Sequence, residues 1–180
     1  EIWVMDENGD NKTRLTNSDK WQATPAWSPD GERIVFTANY VDNFDVYTMK
    51  ADGSDVQRLT DHIGSDYTPR YSPDGKYIVY TSEKNGNEDV WLMDLETKEE
   101  QQITDYPGRD FYPCFSPDGN IIAYVSGEME KDGENLEIFS YHMDTKTHYH
   151  VTKNKGIDRF VSWSPDGKYL VYCGAKEGQA

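Results

Sequence analysis

The tetrapeptide Ser-Pro-Asp-Gly occurs four times in this chain, beginning at Ser28, Ser72, Ser116 and Ser164, at spacings of 44, 44 and 48 residues. Each copy follows an aromatic residue (Trp27, Tyr71, Phe115, Trp163) and precedes an apolar run such as Ile34-Val35-Phe36 or Tyr77-Ile78-Val79-Tyr80. Further echoes lie between the copies. Asp45-Val46-Tyr47, Asp89-Val90-Trp91 and Glu137-Ile138-Phe139 match Glu1-Ile2-Trp3, and Arg58-Leu59-Thr60, Gln102-Ile103-Thr104 and His150-Val151-Thr152 match Arg14-Leu15-Thr16. A period of this length marks a repeat architecture in which each module buries its faces against its neighbours.

Each repeat divides into four short strands, here called A to D. Pro presets φ, Asp bonds nearby backbone and Gly accepts positive φ, so Pro-Asp-Gly forms the A–B turn. Asn8-Gly9 and Asp52-Gly53 serve between C and D. Strand B is apolar on both faces, as for a strand sandwiched between layers. No helical period appears, and short strands at this spacing select an all-β propeller of four-stranded antiparallel blades. The four extra residues of the last interval fall in 128–135 and predict a lengthened hairpin loop.

The chain starts in strand C and ends after strand B. Full blades are expected over about 22–61, 66–105 and 110–153, with half-blades 1–17 and 158–180 pairing to close a four-bladed ring over the single domain 1–180. Closure predicts a monomer, and an arc of a larger ring predicts a homo-oligomer of arcs. Closure would also hide edge strands.

The formal net charge of −15 repels phosphate backbones and argues against nucleic acid as a partner. No apolar run approaches the roughly 18 residues that would span a bilayer, and no signal-peptide pattern opens the sequence. Cys114 and Cys173 have no metal-ligand spacing and are expected to be buried thiols.

Strand A lines the channel of a propeller. Gln22, Asp66, Asp110 and Asp158 share one position at its start, so they are expected to converge near the channel mouth. Such oxygen ligands suit a hard cation such as Ca2+, or a basic group of a partner. The competing reading is that each acid caps its own turn. Trp21, Tyr67, Phe111 and Arg159 would form an aromatic and cationic rim for a protein or small ligand. Glu1, Asp45, Asp89 and Glu137 recur in every blade and are expected to hold the blades together. His148-x-His150 places two rings on one strand face, without a third metal ligand. No Gly-x-Ser-x-Gly, His-Glu-x-x-His or phosphate loop is present, so no catalytic residue and no obligate cofactor is assigned.

The run Pro69-Arg70-Tyr71-Ser72-Pro73-Asp74-Gly75, then Ile78-Val79-Tyr80, then Asp89-Val90-Trp91-Leu92-Met93 and a Leu-Thr pair resembles the TolB-like propeller repeat, a relative of WD-type repeats. The resemblance covers essentially the whole chain. It implies a periplasmic or extracellular setting and a protein-binding role. Similar repeats occur in oligogalacturonate lyases and in propeller domains of prolyl-type peptidases, which gives an enzyme-related alternative. A purely structural extracellular repeat is the third reading.

Overall fold

A computed structural model describes residues 1–130, 133–154 and 156–176. It is all-β among these residues. Strands β3 (Gln22–Trp27), β4 (Arg33–Ala38), β5 (Asp45–Lys50) and β6 (Gln57–Arg58) form one antiparallel four-stranded sheet. Strands β7 (Asp66–Tyr71), β8 (Tyr77–Ser82), β9 (Asp89–Asp94) and β10 (Glu100–Gln102) form the next. The third blade holds β11 (Arg109–Phe115), β12 (Ile121–Glu130), β13 (Gly133–His142) and β14 (Thr147–His150). Its sheet continues into β15 (Gly156–Trp163) and β16 (Leu170–Lys176) through one parallel bridge, Leu136 to Ile157. At the amino end β1 (Trp3–Val4) pairs with β2 (Thr13–Arg14).

The repeated turn is held by its own side chains. Ser72 Oγ donates to Asp74 Oδ1 at 2.6 Å and accepts the Tyr77 amide at 2.9 Å, and the other three copies repeat this. Gly75, at φ 73°, closes the turn in a region that other residues rarely enter. The serine hydroxyl, as the largest effect, holds Asp30, Asp74, Asp118 and Asp166 below the ordinary carboxylate range. These aspartates are turn residues.

Apolar layers lie between blades rather than within one. Val35 and Val46 of the first full blade pack with Ile78, Tyr80, Trp91 and Met93 of the second. Val79, Val90, Leu92 and Ile103 of the second meet Ile122, Tyr124 and Tyr141 of the third. Strands B and C thus send alternate side chains to both neighbours, which is why both their faces are apolar. The A strands β3, β7, β11 and β15 follow one another in contact along the inner side.

Three expectations need correcting. The lengthened third hairpin is not a loop over 128–135: its backbone ladder runs on to Glu130 opposite Gly133, because inserted residues can pair and satisfy their own backbone groups. Residues 131 and 132 lie outside the described residues. Nor does any strand pairing among the described residues close the ring. Among the described residues β1 pairs only with β2, and β16 only with β15. Ile2 and Leu15 instead join the layer of Ile34, Phe36, Tyr47 and Met49, so the amino-terminal half-blade is seated on the first full blade. Val171 and Tyr172 of β16 are left 66% and 42% exposed, whereas their repeat counterparts Val79 and Tyr80 are fully buried. Among the described residues the blades stack in sequence, and no strand pairs with the second edge of β16. Cys173, on that strand, is exposed and not the buried thiol expected, while Cys114 is half-buried and its thiol is pushed up to about 12 by burial.

Candidate functional site

The acids of strand C sit at seams between blades. The amides of Ile2, Val46, Val90 and Ile138 donate to the hydroxyls of Thr16, Thr60, Thr104 and Thr152 at 2.8–3.0 Å. Next to each threonine lies the strand-C acid with a partner from strand D. Arg14 pairs with Glu1 at 2.6 Å, Arg58 with Asp45 at 2.8 Å, Gln102 with Asp89 at 3.0 Å, and His150 with Glu137. Repetition of these residues is therefore explained by blade cohesion.

The four expected ring residues belong to the same seams. Asp66, Asp110 and Asp158 are at most 1% exposed, and Gln22 is 6% exposed. Gln22 Oε1 lies 3.3 Å from Thr16 Oγ, the Ser82 and Thr60 hydroxyls lie beside Asp66, those of Ser126 and Thr104 beside Asp110, and Asn154 donates to Asp158 at 2.8 Å. Burial, as the largest effect, raises Asp66 and Asp110 above the usual carboxylate range. No hydrogen bond or ion pair among the described residues joins one of the four to another. They are spread over successive seams and do not open into the channel as one solvent-facing ring.

What does open on the inner side is a cleft made by the A strands. Each A strand carries a bulge, with register shifts between Ala23 and Ala26, Tyr67 and Arg70, Phe111 and Cys114, and Arg159 and Ser162. The bulge residues Thr24, Thr68, Tyr112 and Phe160 have φ of 50°, 54°, 54° and 58°, a conformation that is strained for β-branched and bulky side chains. Residues held in this way are concentrated at functional sites. In the first two blades the bulge threonine bonds strand B, Thr24 to Thr37 and Thr68 to Thr81, each at 3.0 Å. The third and fourth substitute rings, and Tyr112 packs on Phe160 at 5.3 Å.

The cleft has a volume of about 450 Å³ and is walled by Trp21, Phe44, Tyr67, Tyr112, Glu83 and the bulge threonines. Trp21 is 66% exposed. A second opening of about 560 Å³ shares Glu83 and adds Glu88, Asn87 and Arg109. Glu88 accepts from Tyr67 Oη and pairs with Arg109. The mouth is thus aromatic on its walls and carries two carboxylates on its rim. Such a surface can stack an apolar ring and hold a basic group at its edge.

Of the expected rim residues, Trp21 and Tyr67 line this cleft. Phe111 does not: it is 5% exposed and packs with Val125 and Ile138 of the third blade against Val161 of β15. Arg159 lies opposite Cys173 in the β15–β16 pair, away from the cleft walls. Tyr112, Phe44 and Glu83 were missed. For Tyr112 the signal was present, an aromatic where the first two repeats have threonine.

The histidines are occupied elsewhere. His62 and Lys84 both meet Glu100, at 3.0 and 2.6 Å, and Tyr80 Oη donates to the same carboxylate at 2.5 Å. His148 bonds Tyr124 Oη at 2.8 Å, and His150 stacks on Phe139 at 4.2 Å. Among the described residues no three His, Cys, Asp or Glu side chains gather as a metal-binding group.

The TolB beta propeller domain model matches residues 1–95 and 68–180, and so spans the chain from end to end. None of the curated proteins matches the sequence. Among solved structures, TolB from Acinetobacter baumannii superposes with a TM-score of 0.83 at 23% identity, over 98% of this chain and 43% of that one. A putative TolB from Agrobacterium tumefaciens gives 0.78 at 25% identity, over 95% of this chain and 65% of its own. An oligogalacturonate lyase in complex with manganese gives 0.70 at 19% identity, over 92% and 48%, which is a likeness of fold alone. This chain therefore spans less than two thirds of each of these three structures. With four copies of the turn, the inner bulges and the family match covering every repeat, the chain belongs to the TolB β-propeller family.

Proposed function

We propose that this chain is a non-catalytic binding propeller that takes an aromatic or basic segment of a protein partner, or a small ligand of that chemistry, in the inner-strand cleft. The observation that carries the reading is the cleft of Trp21, Phe44, Tyr67 and Tyr112 with Glu83 at its rim. Aromatic anchors around a concave surface are the usual carriers of binding energy. The strained bulge that brings Tyr112 to the wall supports the same reading. The net charge of −15 favours encounter with basic partners. A periplasmic setting fits the TolB relatives.

A short peptide carrying Arg and Phe, titrated while tryptophan fluorescence is followed, tests the assignment. Substituting Trp21→Ala together with Tyr112→Ala is expected to weaken its binding about 30-fold, the loss of a hot-spot pair. Unchanged affinity in the folded double variant would reject the cleft. Incubation of the protein with pectic oligomers is expected to yield no unsaturated product, and a product would restore the lyase-like alternative.

A further inference from the structure

The four seams follow one plan and differ in charge. The first holds Glu1, Arg14 and the neutral Gln22; the second holds Asp45, Arg58 and Asp66. The fourth holds Glu137, His150 and Asp158, with Asn154 bonded to both acids. Only the third, between β9 and β11, has neither an arginine nor a histidine at the strand-D position. There Gln102 stands where the others have Arg14, Arg58 and His150, while Asp89 and Asp110 are both acidic.

The second seam also holds buried acids with unbonded oxygens, Asp45 and Asp66, but there Arg58 supplies a positive charge that the third seam lacks. Asp110 is fully buried, and neither of its carboxylate oxygens has a hydrogen bond of good geometry. The hydroxyls of Thr104 and Ser126 lie beside it, and no cation is among the groups that act on its charge. Asp89 is 1% exposed, accepts a hydrogen bond from Gln102 at 3.0 Å, and lies close enough to Asp110 for the two charges to interact. Two adjacent buried carboxylates are costly unless a positive charge joins them. A shared proton would engage one oxygen of each acid and leave the second oxygen of Asp110 unpartnered. A metal cation can face several oxygens at once, and Ca2+ accepts carboxylates and neutral oxygens together.

We infer that the seam between the second and third blades binds one hard metal cation of the Ca2+ class, held by the carboxylates of Asp89 and Asp110 with the hydroxyl oxygens of Thr104 and Ser126. Two carboxylates completed by neutral oxygens and water form this donor set, so it needs no third acidic ligand. Of the four-residue ring expected from sequence it uses only Asp110, and it is independent of the aromatic cleft. Its role is to lock two blades together.

The test compares thermal unfolding of the whole chain in chelator and in about 5 mM CaCl2, a concentration suited to extracellular-type sites. Ionic strength is fixed and the pH is 7.5. The wild type is expected to gain about 3 °C with Ca2+, and equilibrium dialysis to show one more bound ion than in the variants. Asp110→Asn and Gln102→Arg are expected to lose the response. The arginine supplies the charge that the first two seams already carry, so that variant is expected to fold even if the first does not. An equal gain in both variants would mean diffuse binding to an acidic surface and would overturn the site. So would a wild type that ignores Ca2+ and is stabilised only by acidification to about pH 5.5, the signature of a shared proton.

Discussion

Tyr80→Ala is expected to destabilise the protein by about 4 kcal/mol, the range for emptying a large aromatic site in a packed core. Tyr80 is fully buried in the layer where Val35 and Val46 of one blade meet Ile78, Trp91 and Met93 of the next. Truncation opens a cavity between two sheets, and neither can collapse into it without shifting its whole ladder. The phenol also donates to Glu100, which Lys84 and His62 share, so the variant removes a polar tie from the same interface. Burial raises the Glu100 carboxyl, and Lys84, Tyr80 and His62 together outweigh that and leave it below its ordinary value. Tyr80→Phe separates the two contributions and is expected to cost about 2 kcal/mol, the net worth of one hydrogen bond to a charged group. Urea unfolding of both variants measures the difference. A small loss for the alanine variant would mean that the blades do not pack on this ring.

Arg58→Ala is expected to cost about 2 kcal/mol at neutral pH, less than for a fully buried pair because the arginine is 32% exposed while the carboxylate that it leaves behind is buried. Its partner Asp45 is fully buried and loses the only cation paired with it among the described residues. The effect has a definite pH dependence. Burial already raises Asp45 above its ordinary value, against the pull of Arg58. A raised carboxyl binds its proton more tightly in the folded protein, so its contribution is complete below the unfolded value and is lost as pH rises through the folded one. Without Arg58 the folded value rises further. The deficit of the variant is thus expected to be greatest near pH 7.5 and to shrink on acidification toward pH 5, which denaturant titrations at the two pH values check. A deficit independent of pH would mean that the arginine stem, not its charge, matters.

The parts of the fold set by local chemistry were legible in the sequence. Ser72, Asp74 and Gly75 make their bonds within a few residues of one another, so the turn could be assigned without knowing what lies beside it. The two-sided apolar character of β4 and β8 likewise announced neighbours on both faces. The parts set between blades were not legible. Asp110 lies beside Thr104, which belongs to the preceding blade, and alignment of repeats places equivalent acids together without showing that each is walled off at its own seam. Phe111, expected at the rim, is buried with Val125, Ile138 and Val161 at the contact between two blades, which repeat alignment alone does not show. Sixteen strands add up to four blades whatever the curvature, so the count could not reveal that β1 and β16 stay unpaired with each other.

Residue-resolved amide hydrogen exchange tests the stacking of the blades most directly. The amides of Val46, Val90 and Ile138, which donate to buried threonine hydroxyls, are expected to exchange only with global unfolding. Amides of β16 on the side away from β15 are expected to exchange orders of magnitude faster. Equal protection of β16 and β8 would contradict the open edge, and rapid exchange at Val46, Val90 and Ile138 would contradict the seams themselves.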